Sequence, residues 1–277
     1  MRPRESNTAI SQGGVEEMGS SKFVRDVWLI FRRTLREGLR DPALAFIFPT
    51  LPPLFLAVLI SELQADIVNL PGFPTDEYIV WIAPGTLLLT AMIGAGFTAT
   101  GMVIDAQSGY LDRLRLLPIR PTAILVGRLA FDMARVLPAA VIVLIATLAL
   151  GAQLNGGLLG ALAIFGLVAV WSLAWNSLFY VAALRTMNPQ TSLMLLPMFL
   201  PFMFTSTVLM PKHLMPGWMQ TVADLNPLTH LTEAARMFMT GGFNWGDLGL
   251  ALGFTAGIAA VGLFFAGRSY AALVRAD

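Results

Sequence analysis

The side chains in this chain with scope for chemistry are few and widely spaced. His213 and His230 stand seventeen residues apart and there is no cysteine. That leaves no thiolate, no disulfide and no compact metal-ligand set, and the histidines read as ordinary surface residues. Glu62, Asp66, Asp76 and Glu77 are the best available acidic group. At a span end facing a cavity, such a group would suit an intramembrane enzyme, for example a lipid-modifying transferase; it reads more simply as a solvated loop. Arg128 and Asp132 are four residues apart, the spacing that pairs side chains on one helix face, a local structural role before a functional one. A phosphate-cradling loop needs a Gly-Lys-Ser/Thr run, and neither Lys22 nor Lys212 follows a glycine. The expectation is a chain that is not an enzyme and binds no cofactor or metal of its own. If ATP drives its work, ATP and Mg belong to another chain.

The elements that position these residues must lie in lipid. Hydrophobic residues make up 56% of the 277 and charged residues 13%, against about 25% charged in a soluble domain. Charge-free stretches reach the roughly 20 residues needed to cross a ~30 Å hydrocarbon layer. They predict six spans, at about 42–61, 78–104, 128–150, 158–184, 188–210 and 248–267, with the turn at 151–157 dividing one long uncharged run. A cytoplasmic N terminus puts 16 of the 18 basic residues inside and leaves only Lys212 and Arg236 outside, in line with the retention of Arg and Lys in the cytoplasm. Residues 1–21 lack the apolar core of a signal peptide and read as a disordered cytoplasmic tail. Residues 22–277 read as a single all-α membrane domain with both termini cytoplasmic.

Residues 22–40 are the most patterned polar segment. Val24, Val27, Trp28, Phe31, Leu35 and Leu39 recur at helical spacing, with Arg25, Asp26, Arg32, Arg33, Arg36 and Arg40 on the other side. A tryptophan, an apolar stripe and an arginine-rich face predict an interfacial helix on the inner leaflet. Each basic residue contributes about 1 kcal/mol near anionic headgroups. Packing on a soluble partner is the alternative, and the two are compatible. Asp41 before Pro42 ends this helix.

No ionisable residue falls in the middle of a predicted span. Arg128, Asp132 and Arg135 sit at the cytoplasmic start of the third, where they can snorkel. That speaks against a proton-coupled antiporter and for a largely apolar cargo. Met198, Phe199 and Phe202 in the proline-broken fifth span form either an adaptable substrate wall or a lipid-facing surface. Thr98 belongs to a run of small residues in the second span that permits close helix approach. Trp175 and Asn176 could meet cargo, although an interhelical hydrogen bond from Asn176 is the simpler expectation. Pro49, Pro52 and Pro53 read as kinks in the first span rather than cargo contacts.

Between the second and third spans, Gly109 breaks the helix. Leu111, Leu114 and Leu117 then put an apolar edge on a short helix rimmed by Asp112, Arg113 and Arg115, and Pro118 and Pro121 stop it. The product is a rigid amphipathic knob, or an interfacial loop that anchors helix ends. This run, SGYLDRLRLLPIRPTAILVGR, resembles the cytoplasmic signature of type-2 ABC exporter permeases of the daunorubicin-resistance branch. A second stretch, LMPKHLMPGWMQTVADLNPLTHLTEAARMFMTGG, is similar to the same family: Pro216-Gly-Trp, then Asn226-Pro-Leu-Thr, then Arg236 and a glycine before the last span. Order and spacing match over nearly the whole chain. Related permeases often carry an acid where this chain has Gln107, so Asp105 or Asp112 would replace that contact.

The resemblance implies a permease of the bacterial plasma membrane that exports an amphipathic drug or lipid-like cargo. Its partners would be a pair of ABC ATPase subunits, a second permease (another copy or a paralogue) and membrane lipid, with no nucleic acid. The coupling helix, with Gly109, Leu111, Asp112, Arg113, Leu114, Arg115, Leu117 and Pro118, would dock on the ATPase. The N-terminal helix, with Trp28, Arg32, Arg33 and Arg36, would add a second contact. Residues 213–242 would fold as short re-entrant helices in the outer leaflet. Spans two and five would flank the cavity, making Thr98, Met198, Phe199 and Phe202 the substrate path. A membrane scaffold that recruits an ATPase without transporting is the other reading.

Overall fold

The computed structural model describes residues 9–63, 65–109, 121–241 and 245–275. Helix α1 (Ala9–Arg40) leads through a π-helical turn (Ala43–Ile47) into α2 (Phe48–Leu63). Three long helices follow: α3 (Tyr78–Gln107), α4 (Pro121–Ala149) and α5 (Gly157–Thr186). The next stretch is in pieces, α6 (Pro189–Met194), a 3-10 turn (Leu196–Met198) and α7 (Phe199–Phe204). Short α8 (Gly217–Leu225) and α9 (Pro227–Thr240) precede the long α10 (Trp245–Arg275). Every regular element among the described residues is helical.

Among the described residues, five stretches are long and apolar enough to cross a membrane: Ala45–Leu63, Tyr78–Gln107, Thr122–Ala149, Gly157–Thr186 and Trp245–Ala272. The span predicted at 188–210 is not one continuous helix. Pro189, Pro197 and Pro201 each remove a backbone donor and crowd the preceding turn, and the shorter apolar stretch Pro189–Phe204 bends at Leu196–Met198. The first span also departs from a plain helix, since its opening turn is π-helical. Helix α1 begins at Ala9 rather than at residue 22.

Helix α3 is the buried centre, packed against α2, α4, α5 and α9. Its densest contact is with α5, along which Trp171, Trp175 and Phe179 follow one another with tilted rings 5.6 and 5.9 Å apart. Helix α10 covers the other side of α5. Helix α1 lies across α4 through the row Asp26, Ile30 and Thr34, all buried. Gly127 makes this possible, because a Cβ there would sit 2.7 Å from the Cβ of Ile30 and 2.9 Å from the carbonyl of Val27. Asp26, expected beside the arginines, instead faces the bundle. Val24, Trp28 and Leu39 of the apolar stripe remain exposed, as do Arg25, Arg32, Arg36 and Arg40.

Candidate functional site

At the α1 end of the bundle, helix α3 runs out at Gln107. The Ser108 amide closes the last turn on the Ile104 carbonyl at 2.9 Å, and Gly109 leaves in the left-handed region at φ +70, a conformation that suits glycine at a helix stop. One turn earlier sits Asp105. Arg33 of α1 donates to its carboxylate at 3.1 and 3.4 Å, and Arg128 of α4 forms a second ion pair with it. Arg33 also pairs with Glu37 at 2.5 Å. A single carboxylate thus joins α1, α3 and α4 on both sides of residues 110–120. Gln107 donates to the Met187 carbonyl at 2.9 Å, which ties the same end of α3 to the end of α5.

Helix α4 starts at Pro121, seven residues before the predicted span, which corrects the expectation that its charges snorkel. Arg135 lies about 21 Å along the helix from Pro121 at 1.5 Å per residue, and neighbouring helices close over it. Arg128 is 5% exposed, Arg135 4% and Asp132 fully buried. Nor do Arg128 and Asp132 form the predicted pair, since Arg128 turns to Asp105. Asp132 accepts from the Tyr180 hydroxyl at 2.8 Å and lies 4.0 Å from the Arg135 guanidinium. Arg135 donates to the carbonyls of Ala45 and Gly94 at 3.0 and 3.2 Å. These groups border a cavity of about 220 Å³ between α1, α3, α4 and α5, to which Phe97, Thr98 and Phe131 also contribute.

At the other end, the second motif folds as a clamp. Asn226 caps α9 by accepting from the Leu228 amide at 2.9 Å, with Pro227 in the first turn, the arrangement that orphan helix-start donors favour. Its amide group donates to the Phe202 carbonyl at 2.7 Å and Thr205 Oγ1 at 3.0 Å, pinning α7. Arg236 donates to the carbonyls of Trp81 and Thr207 at 3.2 and 3.1 Å and to Glu233 at 2.6 Å. Its guanidinium also lies 3.4 Å above the Trp81 ring, and Gly241 (φ +79) ends the helix.

Of the predicted coupling residues, Gly109 lies where α3 stops, while Leu111, Asp112, Arg113, Leu114, Arg115, Leu117 and Pro118 lie outside the described residues. Arg32 and Arg36 are exposed on α1 and Trp28 stacks on Phe31 at 5.3 Å, whereas Arg33 is drawn into the ion-pair cluster. The four substrate-path residues do not converge. Thr98 borders the cavity, Phe202 packs edge-on against Trp175 at 5.2 Å, Phe199 rests on the core and Met198 is exposed. Asn176 bonds within its own helix to Ser172 at 3.0 Å rather than between helices. His213 and His230 each bond a backbone carbonyl at 2.9 Å, and the carboxylates Glu62, Asp66, Asp76 and Glu77 are exposed. No group of metal-ligating side chains occurs among the described residues. Sequence reasoning passed over Tyr180 and the burial of Asp132; an ionisable residue about three turns inside a helix start was the available signal.

The profile of the ABC-2 type transporter family matches residues 25–240. The chain is 31% identical over 191 residues to a daunorubicin resistance ABC transporter permease protein of Streptomyces coeruleorubidus, a match covering 68% of this chain and 66% of that protein. It is 28% identical over 240 residues, 86% of each chain, to a probable doxorubicin resistance ABC transporter permease protein of Mycobacterium tuberculosis. A putative transport permease of Pyropia yezoensis is 26% identical over 236 residues, which is 83% of this chain and 79% of that one.

Proposed function

This chain belongs to the ABC-2 type transporter family, and from that membership we propose that it is the transmembrane permease subunit of an ATP-driven exporter. The observation that carries the proposal is the family match over residues 25–240, which contains both ends of the loop held by Asp105. Residues 110–120 form the coupling segment that docks on a separate ATPase subunit, and Asp105 passes its displacement to α1, α3 and α4. A second permease, as another copy or a paralogue, completes the pathway. The broken stretch Pro189–Phe204 serves as an additional crossing, so that six crossings bring both termini to the cytoplasmic face of the plasma membrane. That orientation is supported by the 16 of 18 basic residues it keeps inside. The cargo is an amphipathic drug or lipid-like molecule, a reading supported by the resistance names of two relatives.

Co-expression with a neighbouring ATPase gene tests this reading. A stable complex is expected, and Leu114→Asp should abolish both assembly and cargo-stimulated hydrolysis. Unchanged assembly and transport in that variant would remove the coupling role. Vesicles loaded with the complex separate an exporter from a scaffold, because only an exporter moves cargo when ATP is supplied.

A further inference from the structure

Helices α5 and α10 meet closely at Gly262, where an added Cβ would sit 2.8 Å from the Cβ of Ser177. Between that contact and the end of α5 they leave a notch of about 200 Å³, lined by Leu178, Val181, Arg185, Val261, Gly262 and Phe265. Val261 and Phe265 are exposed, as is Phe264 beside them, so the notch opens on apolar surface shared by two spans. Arg185 is held at its rim. Its Nε donates to Ser269 Oγ at 3.4 Å and its guanidinium stands 5.7 Å from the centre of the Phe265 ring. Arg268 stands at the same distance from the Phe264 ring, and the two rings meet edge to face at 5.3 Å. Two arginines thus flank one aromatic pair, and neither has a carboxylate partner among the described residues. Arginines that only mark the cytoplasmic side of a membrane need neither that aromatic floor nor an apolar notch next to them.

We propose that this notch holds one anionic phospholipid of the inner leaflet, as a resident of the permease surface and not as its cargo. The phosphate sits on Arg185 and Arg268, and the start of an acyl chain lies along Leu178, Val181 and Val261. A guanidinium offers a planar fork of donors that matches phosphate oxygens, and basic pockets between spans on the cytoplasmic side take anionic headgroups. Phosphatidylcholine brings the same phosphate with a choline cation, which two unneutralised arginines repel. The sidedness proposed above serves only to name the leaflet, because binding depends on neither orientation nor an ATPase.

The full chain in phosphatidylcholine nanodiscs is photolabelled with trace phosphatidylglycerol carrying a diazirine near the start of one acyl chain, and separately with the matching phosphatidylcholine probe. Labelled peptides are mapped by mass spectrometry. Peptides spanning 178–185 and 261–268 should take up about tenfold more of the phosphatidylglycerol probe, the size expected of two basic contacts with a headgroup. Arg185→Gln together with Arg268→Gln should erase that excess and leave labelling by the choline probe unchanged. Arg32→Gln together with Arg36→Gln, on the exposed face of α1, should leave the excess intact. Val181→Trp fills the notch and should cut labelling by both probes, which keeps the test decisive if the double arginine variant does not fold. Added glycerol phosphate should not compete; competition would identify a site for a soluble phosphate ester and overturn the lipid assignment. Equal labelling by the two probes, no labelling of these peptides, or an excess that survives in the folded arginine or Val181→Trp variants also overturns it. A complex that moves cargo on ATP but shows no phosphatidylglycerol excess loses this inference alone.

Discussion

Asp105 and Asp132 occupy the same end of the bundle and are held in opposite ways. Asp105 has two arginine partners and partial solvent access, whereas Asp132 has a tyrosine hydroxyl and a distant guanidinium. Removing one partner from a buried ion pair leaves the other charge desolvated and uncompensated, which typically costs about 3–5 kcal/mol. Asp105→Asn should therefore lower stability by about 3 kcal/mol, read as a fall in the midpoint of thermal unfolding in detergent. The double variant Asp105→Asn with Arg128→Met should recover much of it, because no charge is then stranded. A smaller effect, about 1–3 kcal/mol, is expected for Tyr180→Phe, which deletes the 2.8 Å bond to Asp132. Arg236→Lys is not conservative here. An ammonium cannot reach Glu233, two carbonyls and the Trp81 ring together, and the same unfolding assay should show a clear loss.

The docking of α1 depends on a close approach that bulk at residue 127 forbids. Gly127→Leu should lift α1 from α4 while leaving the spans in place. Because the chain has no cysteine, a single cysteine at Ile30 reports this directly: buried and slow to label in the parent, fast in the variant. Asn226→Ala removes a helix cap of about 1 kcal/mol together with the tie to α7, and should loosen both pieces. The apolar bodies of the long helices, predicted at 78–104, 128–150, 158–184 and 248–267, were legible because length and scarcity of charge suffice to define them, whereas the start of α4 at Pro121, ahead of Arg128, Asp132 and Arg135, was not. The cap–proline–glycine grammar of α9 was present in its motif as well. Helix periodicity says which residues share a face, not what covers that face, so the inward turn of Asp26 had no signal. The break at Leu196–Met198 had one in its prolines, but hydropathy averaged over a window hides it.

At the scale of the molecule, the proposed topology counts five long helices and one broken stretch as crossings and so predicts a definite sidedness. Ser6→Cys and Asp277→Cys should label from the same face of inside-out vesicles and Asp76→Cys from the opposite face; any other pattern removes the six-crossing topology. The carboxylate at residue 105 has a mechanical corollary. On the proposed coupling, a push on residues 110–120 reaches the helix before them, the helix after them and the N-terminal helix through one shared carboxylate. Under that same proposal the three rods tilt together, and the compliance of a rocking cycle falls to the proline-jointed segment Pro189–Phe204.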